Sequence, residues 1–463
     1  MSRMANTGRG LRRCCTYLTI CLVQNQNELS RQLTTLDGWA VGTGAMMGVT
    51  IFVVSGQISG IAGPAASLGF LIAAVVVMIV ALCYCEVATA FPIAGGAYVF
   101  PKMAIGGEAG DFLGFLSGWG LWGGQGLGAA IVSMTCASYI TWMIELAGGH
   151  NPIPDSVLTY ALIIFFAISN MISTGGGRII QFLSTFIITG IMLLFIFWGG
   201  ANVDKALLTP FAPNGFGAIF SCAAVCMLSF GAWSTIPAMS EEFKDSARQV
   251  PRSILLSLTT CGVIFTIFVY VMNGLMPGTA LAESSAPPAE AFTTVTKYGA
   301  LLIAFGGVFA CVSTANGTLM TGARVPFSMS RSGDLPRVIC KVNKRGAPYV
   351  AIIFTAAGQI ILAATGLLFL IAQMIVFVTA ICWFITMICL WYMRRKHPEI
   401  IAPFRTPLYP VTLIVAFVAL VFMITRLSGT AKLVGTCWIL FGAVVYLLFH
   451  KTGLKKYCQK KDA

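Results

Sequence analysis

Gly42-Thr43-Gly44-Ala45-Met46-Met47-Gly48-Val49-Thr50-Ile51-Phe52 lies inside a hydrophobic run, and its glycines interrupt that run near the middle. The second half of the chain carries a counterpart, Ser229-Phe230-Gly231-Ala232-Trp233-Ser234-Thr235-Ile236-Pro237. Glycine relaxes a helix and proline removes one of its donors, so both stretches invite an unwound backbone. Hydrocarbon does not tolerate bare N–H and C=O groups, and such breaks persist only where they line a cavity or bind something. Corresponding breaks in two halves point to a secondary transporter that holds its substrate at mid-membrane depth.

Composition agrees with a membrane setting. Hydrophobic residues make up 57% of the 463, charged residues only 10%, and the mean hydropathy is +0.85, far too apolar for a soluble chain of this length. The 15 cysteines do not read as a disulfide scaffold. Most, such as Cys83, Cys85, Cys222 and Cys261, lie in apolar runs, where cysteine behaves as a small buried hydrophobe. Neither Cys14-Cys15 nor Cys83-x-Cys85 has zinc spacing, and with three histidines no metal site and no cofactor site is expected.

Runs of about 20 apolar residues begin near residues 38, 65, 112, 156, 179, 214, 253, 299, 348, 372, 407 and 432, which predicts twelve transmembrane helices. An even number places both termini on one side. All but four of the 29 lysines and arginines then fall on that side, the exceptions being Lys205, Lys297, Arg426 and Lys432. So large a bias puts both termini in the cytoplasm and explains the net charge of +13 without a nucleic-acid partner. The expected organisation is a cytoplasmic tail over 1–36, a transmembrane domain over 37–450 and a basic cytoplasmic tail over 451–463, whose partner is the bilayer and whose setting is the plasma membrane (the inner membrane in a bacterium). Thr16–Val23 is apolar but too short to span. The longest outer loop, Gly278–Tyr298, is read as either a cap over the outer vestibule or a plain connector.

Acidic residues are informative by their scarcity. Of 16, only Glu86 sits within an apolar run, near the inner end of the second span. An intramembrane carboxylate is by default a functional candidate, so a proton relay through a chain of buried acids is not the expectation. A zwitterionic or cationic ligand would then be held largely by backbone dipoles, N–H groups for its anionic end and unwound carbonyls for its cationic one.

Here the residues become specific. Gly44-x-x-x-Gly48-x-x-Ile51-Phe52 followed by Gly63-Pro64-Ala65 resembles the amino acid–polyamine–organocation permeases. So do Tyr84-x-Glu86, Phe91-Pro92-x-Ala94-Gly95-Gly96-Ala97-Tyr98 and Phe115-x-x-Gly118-Trp119. Further on, Phe230-x-x-Trp233, Glu241-Glu242, Val250-Pro251-Arg252, Asn316-Gly317, Arg324 and Ser330-Arg331-Ser332-Gly333-Asp334-Leu335-Pro336 look closest to the branch of L-type and small-neutral amino acid exchangers. The resemblance covers about residues 36 to 451, and it is specific through the order and spacing of its motifs. It implies an all-α fold of the leucine-transporter type: two inverted five-helix repeats, about 37–200 and 214–396, and two peripheral helices over about 407–450.

Carried over residue by residue, the resemblance places the substrate carboxylate at backbone N–H groups of Met47, Gly48, Val49 and Thr50. The ammonium side is Ala45, Met46, Ser229, Phe230 and Ala232, and Trp233 walls the pocket or the gate below it, with interior packing as the plain alternative. Three departures matter. Thr50 stands where the family's helix 1 break has its last glycine, and Ala232 where a glycine usually precedes the helix 6 tryptophan. Both losses of room suggest a small ligand or one lacking an α-carboxylate. The lysine that many relatives carry on helix 5 is replaced at the corresponding place by Ile188. Ser313 or Thr314 is then the candidate for holding a sodium ion, against the ordinary fate of hydroxyls in apolar helices, which bond back to their own carbonyls.

Other candidates carry a structural alternative of their own. Glu86 reads as a satisfied structural acid before a proton carrier; Arg324, Glu241 and Glu242 are either a cytoplasmic gate or solvated helix ends. Gln125 sits mid-span, where a buried amide needs partners, and is a candidate for selectivity or for an interhelical hydrogen bond. Cys136, at the outer end of the third span, leaves room to ask whether a single-span partner subunit is needed. The leading function is an amino acid transporter or exchanger, coupled to a proton or sodium ion if coupled at all; the runner-up is an amine or polyamine permease. An ion channel lacks filter-residue repeats, and an enzyme lacks any Ser/His/Asp grouping, metal spacing or phosphate-binding loop.

Overall fold

The structure is a computed structural model that describes residues 33–92, 96–172, 177–240, 243–343, 347–400 and 402–451. Its ordered elements are helices: α1 (Thr35–Met46), α2 (Val49–Ala62), α3 (Ala66–Ala90), α4 (Val99–Ala104), α5 (Gly107–Leu121), α6 (Ala130–Leu146), α7 (Asp155–Ile172), α8 (Gly177–Leu194) and α9 (Gly215–Cys226) in the first half. The second half holds α10 (Thr235–Ala238), α11 (Ser246–Leu275), α12 (Gly278–Glu283), α13 (Pro287–Thr293), α14 (Lys297–Arg331), α15 (Tyr349–Ala363), α16 (Leu368–Lys396), α17 (Val411–Thr425) and α18 (Gly429–Lys451).

Eight helical stretches among the described residues are long and apolar enough to cross a membrane. The other expected spans do not reach that length among the described residues. The first is interrupted after Met46, and the apolar helices Lys297–Val312, Tyr349–Ala363 and Val411–Thr425 are shorter. Sharp boundaries have legible causes. Gly63 adopts φ +60° and Pro64 follows it, which ends α2, turns the chain through a 3-10 segment and starts α3. Asp245 caps α11 by accepting from the Arg248 N–H.

Two hydrophobic clusters form the interior. One gathers Phe52, Phe70, Phe230, Trp233 and Phe265 between α2, α3 and α11. The other gathers Trp119, Trp122, Leu127, Leu319 and Ile375 between α5, α14 and α16. The segment after α11 is more than a bare connector: α12 and α13 lie against α2, with Leu281, Pro287, Ala289 and Phe292 buried. A Cβ on Gly56 would stand 2.4 Å from the Leu281 carbonyl oxygen, so only a glycine permits that approach.

One end of the bundle is tied shut. Leu33 pairs with Phe243 in an isolated β-bridge, and the Ser253 hydroxyl donates to the Thr35 carbonyl. At the same end Lys102 meets Asp334 at 2.6 Å, and the Tyr98 hydroxyl donates to that carboxylate at 2.8 Å. Burial, then the adjacent Asp334, pushes the Tyr98 phenol well above its ordinary pKa, so it stays a donor there. Glu86, buried at the end of α3, receives both arms of the Arg394 guanidinium and the Thr406 backbone N–H.

Candidate functional site

The α-helical backbone of the first span stops at Met46 and resumes at Val49, with Gly48 extended between them (φ −84°, ψ −153°). No side chain caps the start of α2, so its first N–H groups face the gap, and α1 ends there with no basic residue in its last turn. The positive end of one helix dipole and the negative end of another therefore meet at one point. The counterpart in the second half is built differently. From Met227 to Ser234 the chain runs as a 3-10 helix of eight residues, where an open loop was expected. That is long for this helix type, which rarely exceeds three or four residues. The Gly231 carbonyl accepts from the Ser234 hydroxyl at 2.9 Å and from the Gln125 amide at 3.4 Å, and the Ala232 carbonyl from the Thr235 hydroxyl at 2.8 Å.

A cavity opens between these two stretches. Ala45 and Gly48 line it from the first break, Ser229, Gly231 and Ala232 from the second, and Gln125 from the facing α5–α6 segment. Gln125 lies in a π-helical turn, Trp122–Gly126, an irregularity frequent at functional sites. Its amide makes the interhelical hydrogen bond named above, so it lines the cavity and braces its wall together. From α14 come Thr314 and Thr318, and from α16 come Ile375, Val376, Thr379 and Trp383. None of the described lining residues is charged. Three of them carry a buried polar atom with no hydrogen-bond partner among the described residues: the Ser229 hydroxyl, the Thr314 hydroxyl and the Trp383 indole N–H. Buried polar groups are ordinarily paired, which makes three orphans around one cavity a mark of something that completes them.

The side chains of the other expected residues are placed as follows. Met46 and Met47 turn their side chains into the core, Met47 within 3.3 Å of the Thr189 hydroxyl, and the Met47 N–H expected at the carboxylate already donates to the Thr43 carbonyl at 2.8 Å, closing the last turn of α1. Phe230 packs edge-on against Phe70 and tilted against Phe265, away from the cavity. Trp233 is one layer behind the wall, 4.9 Å from Tyr84 and 5.6 Å from Trp383. Trp383, on α16 beside the 3-10 segment, is the tryptophan that lines the cavity. Its signal in the sequence was a hydroxyl and an indole one helical turn apart, Thr379 and Trp383, in an otherwise apolar span.

Gly48 has a second role that sequence could not reveal. A Cβ there would stand 2.4 Å from the Thr314 Oγ1, so the glycine is needed for the approach of α14 as well as for the break. Ile188 is fully buried on α8 between Thr185, which donates to the Ala40 carbonyl, and Thr189 beside Met47. Arg324 is exposed on α14 and outside the cavity. Glu86 is committed to Arg394 and Thr406, away from the cavity. Cys136 is fully buried on α6. The side chains of Val49, Thr50 and Ser313, and Glu241 and Glu242 altogether, lie outside the described residues.

Residues 33–449 match the family model described as amino acid permease. The branched-chain amino acid permease BcaP of Bacillus subtilis is 27% identical over 448 residues, covering 93% of this chain and 96% of that protein. The methylthioribose transporter of the same organism is 26% identical over 448 residues, covering 94% and 96%. Cationic amino acid transporter 9 of Arabidopsis thaliana is 30% identical over 335 residues, covering 68% of this chain and 58% of that protein. The chain belongs to the amino acid permease family; it is a multi-pass membrane transporter and not an enzyme.

Proposed function

We propose that this permease moves a neutral amino acid across the plasma membrane by alternating access, and that the cavity beside Gly48 is its substrate site. The observation that carries the reading is the meeting, in one uncharged cavity, of the uncapped start of α2, the end of α1 and the orphaned Ser229 and Thr314 hydroxyls. An α-carboxylate suits the N–H groups at Gly48, Val49 and Thr50; an α-ammonium suits the α1 carbonyls at Ala45 and Met46 with the Ser229 region. The side chain then faces Ile375, Val376, Thr379 and Trp383, a surface suited to an apolar or weakly polar group. No carboxylate among the described lining residues would pair with a cationic side chain. The resemblance to a branched-chain permease points the same way.

The architecture that goes with this function has twelve spans, repeats over about 37–200 and 214–396 and peripheral helices over 407–450, with both tails cytoplasmic. In that orientation the tied end of the bundle faces the cytoplasm, and the ties are the contacts that must part before release inward. With Ile188 at the helix 5 position and Glu86 held by Arg394, exchange should outrun net uptake. Proteoliposome uptake of labelled neutral amino acids, with and without internal substrate, tests this. The control is a decarboxylated analogue. If the parent amine binds as tightly as the amino acid, the N–H groups at Gly48 grip no carboxylate and the amine permease reading replaces this one. An obligatory proton or sodium gradient would overturn the exchange reading alone.

A further inference from the structure

Far from the cavity, α16 and α17 diverge on the outer surface and leave an apolar groove lined by Ile388, Trp391, Leu413, Ile414, Phe417 and Val418. Its floor ends at the edge-to-face pair Phe384–Phe417, with ring centroids 4.9 Å apart. From there to Trp391 the helical rise is about 10 Å. Trp391, Ile414 and Val418 are exposed, so no other part of the described chain covers them. At its other end the groove meets charge. Ile388, Trp391 and Arg395 follow each other at helical spacing on one stripe of α16, and the Arg395 guanidinium sits 5.4 Å from the Trp391 ring centroid. Lys396 beside it and Arg405 in the following loop are exposed as well. Arg394 is taken by Glu86, whereas Glu399 lies within 3.0 Å of His397.

We propose that this groove binds one anionic phospholipid, with an acyl chain laid between α16 and α17 and the phosphate at Arg395 and Lys396. Charge complementarity selects the occupant: a hydrocarbon tail meets an apolar trough, and the exposed Arg395 beside Trp391, with Lys396 next to it in sequence, meets a negative headgroup. The stacking of Arg395 on Trp391 holds the guanidinium at headgroup depth, where a free arginine would wander. A zwitterionic lipid would fill the trough but bring its own cation to the same place.

The test is native mass spectrometry of the full chain released from bilayers of equal phosphatidylglycerol and phosphatidylcholine. The expected result is a single retained phosphatidylglycerol, enriched about tenfold over phosphatidylcholine. That enrichment should vanish in the double variant Arg395→Ala, Lys396→Ala. It should also vanish in Ile414→Trp, which fills the trough without touching charge. Melting temperatures close to the parent's confirm that each variant is folded. No enrichment in the parent, or enrichment that survives either variant, overturns the proposal. Uptake is not the readout, so failure of the transport reading leaves this test intact.

Discussion

Between Met46 and Val49 the chain leaves the helix altogether, whereas between Cys226 and Thr235 it only tightens into a 3-10 helix. The first arrangement exposes backbone: the N–H groups at the start of α2 have no cap, and Gly48 offers no side chain. The second keeps its backbone engaged, with Gly231 and Ala232 already accepting hydrogen bonds, and presents the Ser229 hydroxyl instead. Two stretches that look alike as glycine-bearing interruptions thus present different groups to the cavity. Under the proposed function, the first takes the charged ends of an amino acid and the second, with α16, takes what varies.

The largest effect should come from Gly48→Ala. Its Cβ would meet Thr314 at 2.4 Å, so overpacking should lower stability by about 1–3 kcal/mol and uptake should be lost. Adding Thr314→Ala should restore the melting temperature but not uptake. Full recovery of uptake in the double variant would mean that the first break needs only room, and the contrast drawn above would fail.

Trp383→Phe keeps a ring on the wall and removes the orphaned N–H. Loss of one neutral hydrogen bond to substrate is worth about 1 kcal/mol. The half-saturating concentration should therefore rise about fivefold, with little change in maximal rate. An unchanged value would confine the wall to packing.

Gln125→Leu removes the brace between the π-helical turn and the 3-10 segment. Stability should fall by about 1 kcal/mol, read from denaturation in detergent, and uptake by only a few fold. A variant without uptake would instead make Gln125 a direct substrate contact.

The smallest effect is expected from Ala232→Gly, which restores the room that the family usually has there. Stability should drop by about 0.5–1 kcal/mol, transport of small neutral amino acids should persist, and bulkier ones should compete better in uptake assays. Unaltered competition by bulkier side chains would remove Ala232 from the specificity of the site.

The sequence by itself determined the helical membrane class, the family and the place of the first break, because each rests on local chemistry. Apolar runs dictate helices in hydrocarbon, and Gly48 cannot be passed through without weakening one. It also marked Ala45, Ser229, Ala232, Gln125 and Thr314, which the structure brings together around one cavity. Only the tertiary structure decided which side chains face that cavity. Phe230 and Trp233 belong to the core because Phe70, Phe265 and Tyr84 lie beside them, and those neighbours are remote in sequence. Trp383 joins the wall because α16 packs beside the 3-10 segment, and Gly48 must stay bare because Thr314 arrives from the far half of the chain. A residue's own chemistry fixes what it can contribute; what it touches is fixed by the helix that packs against it.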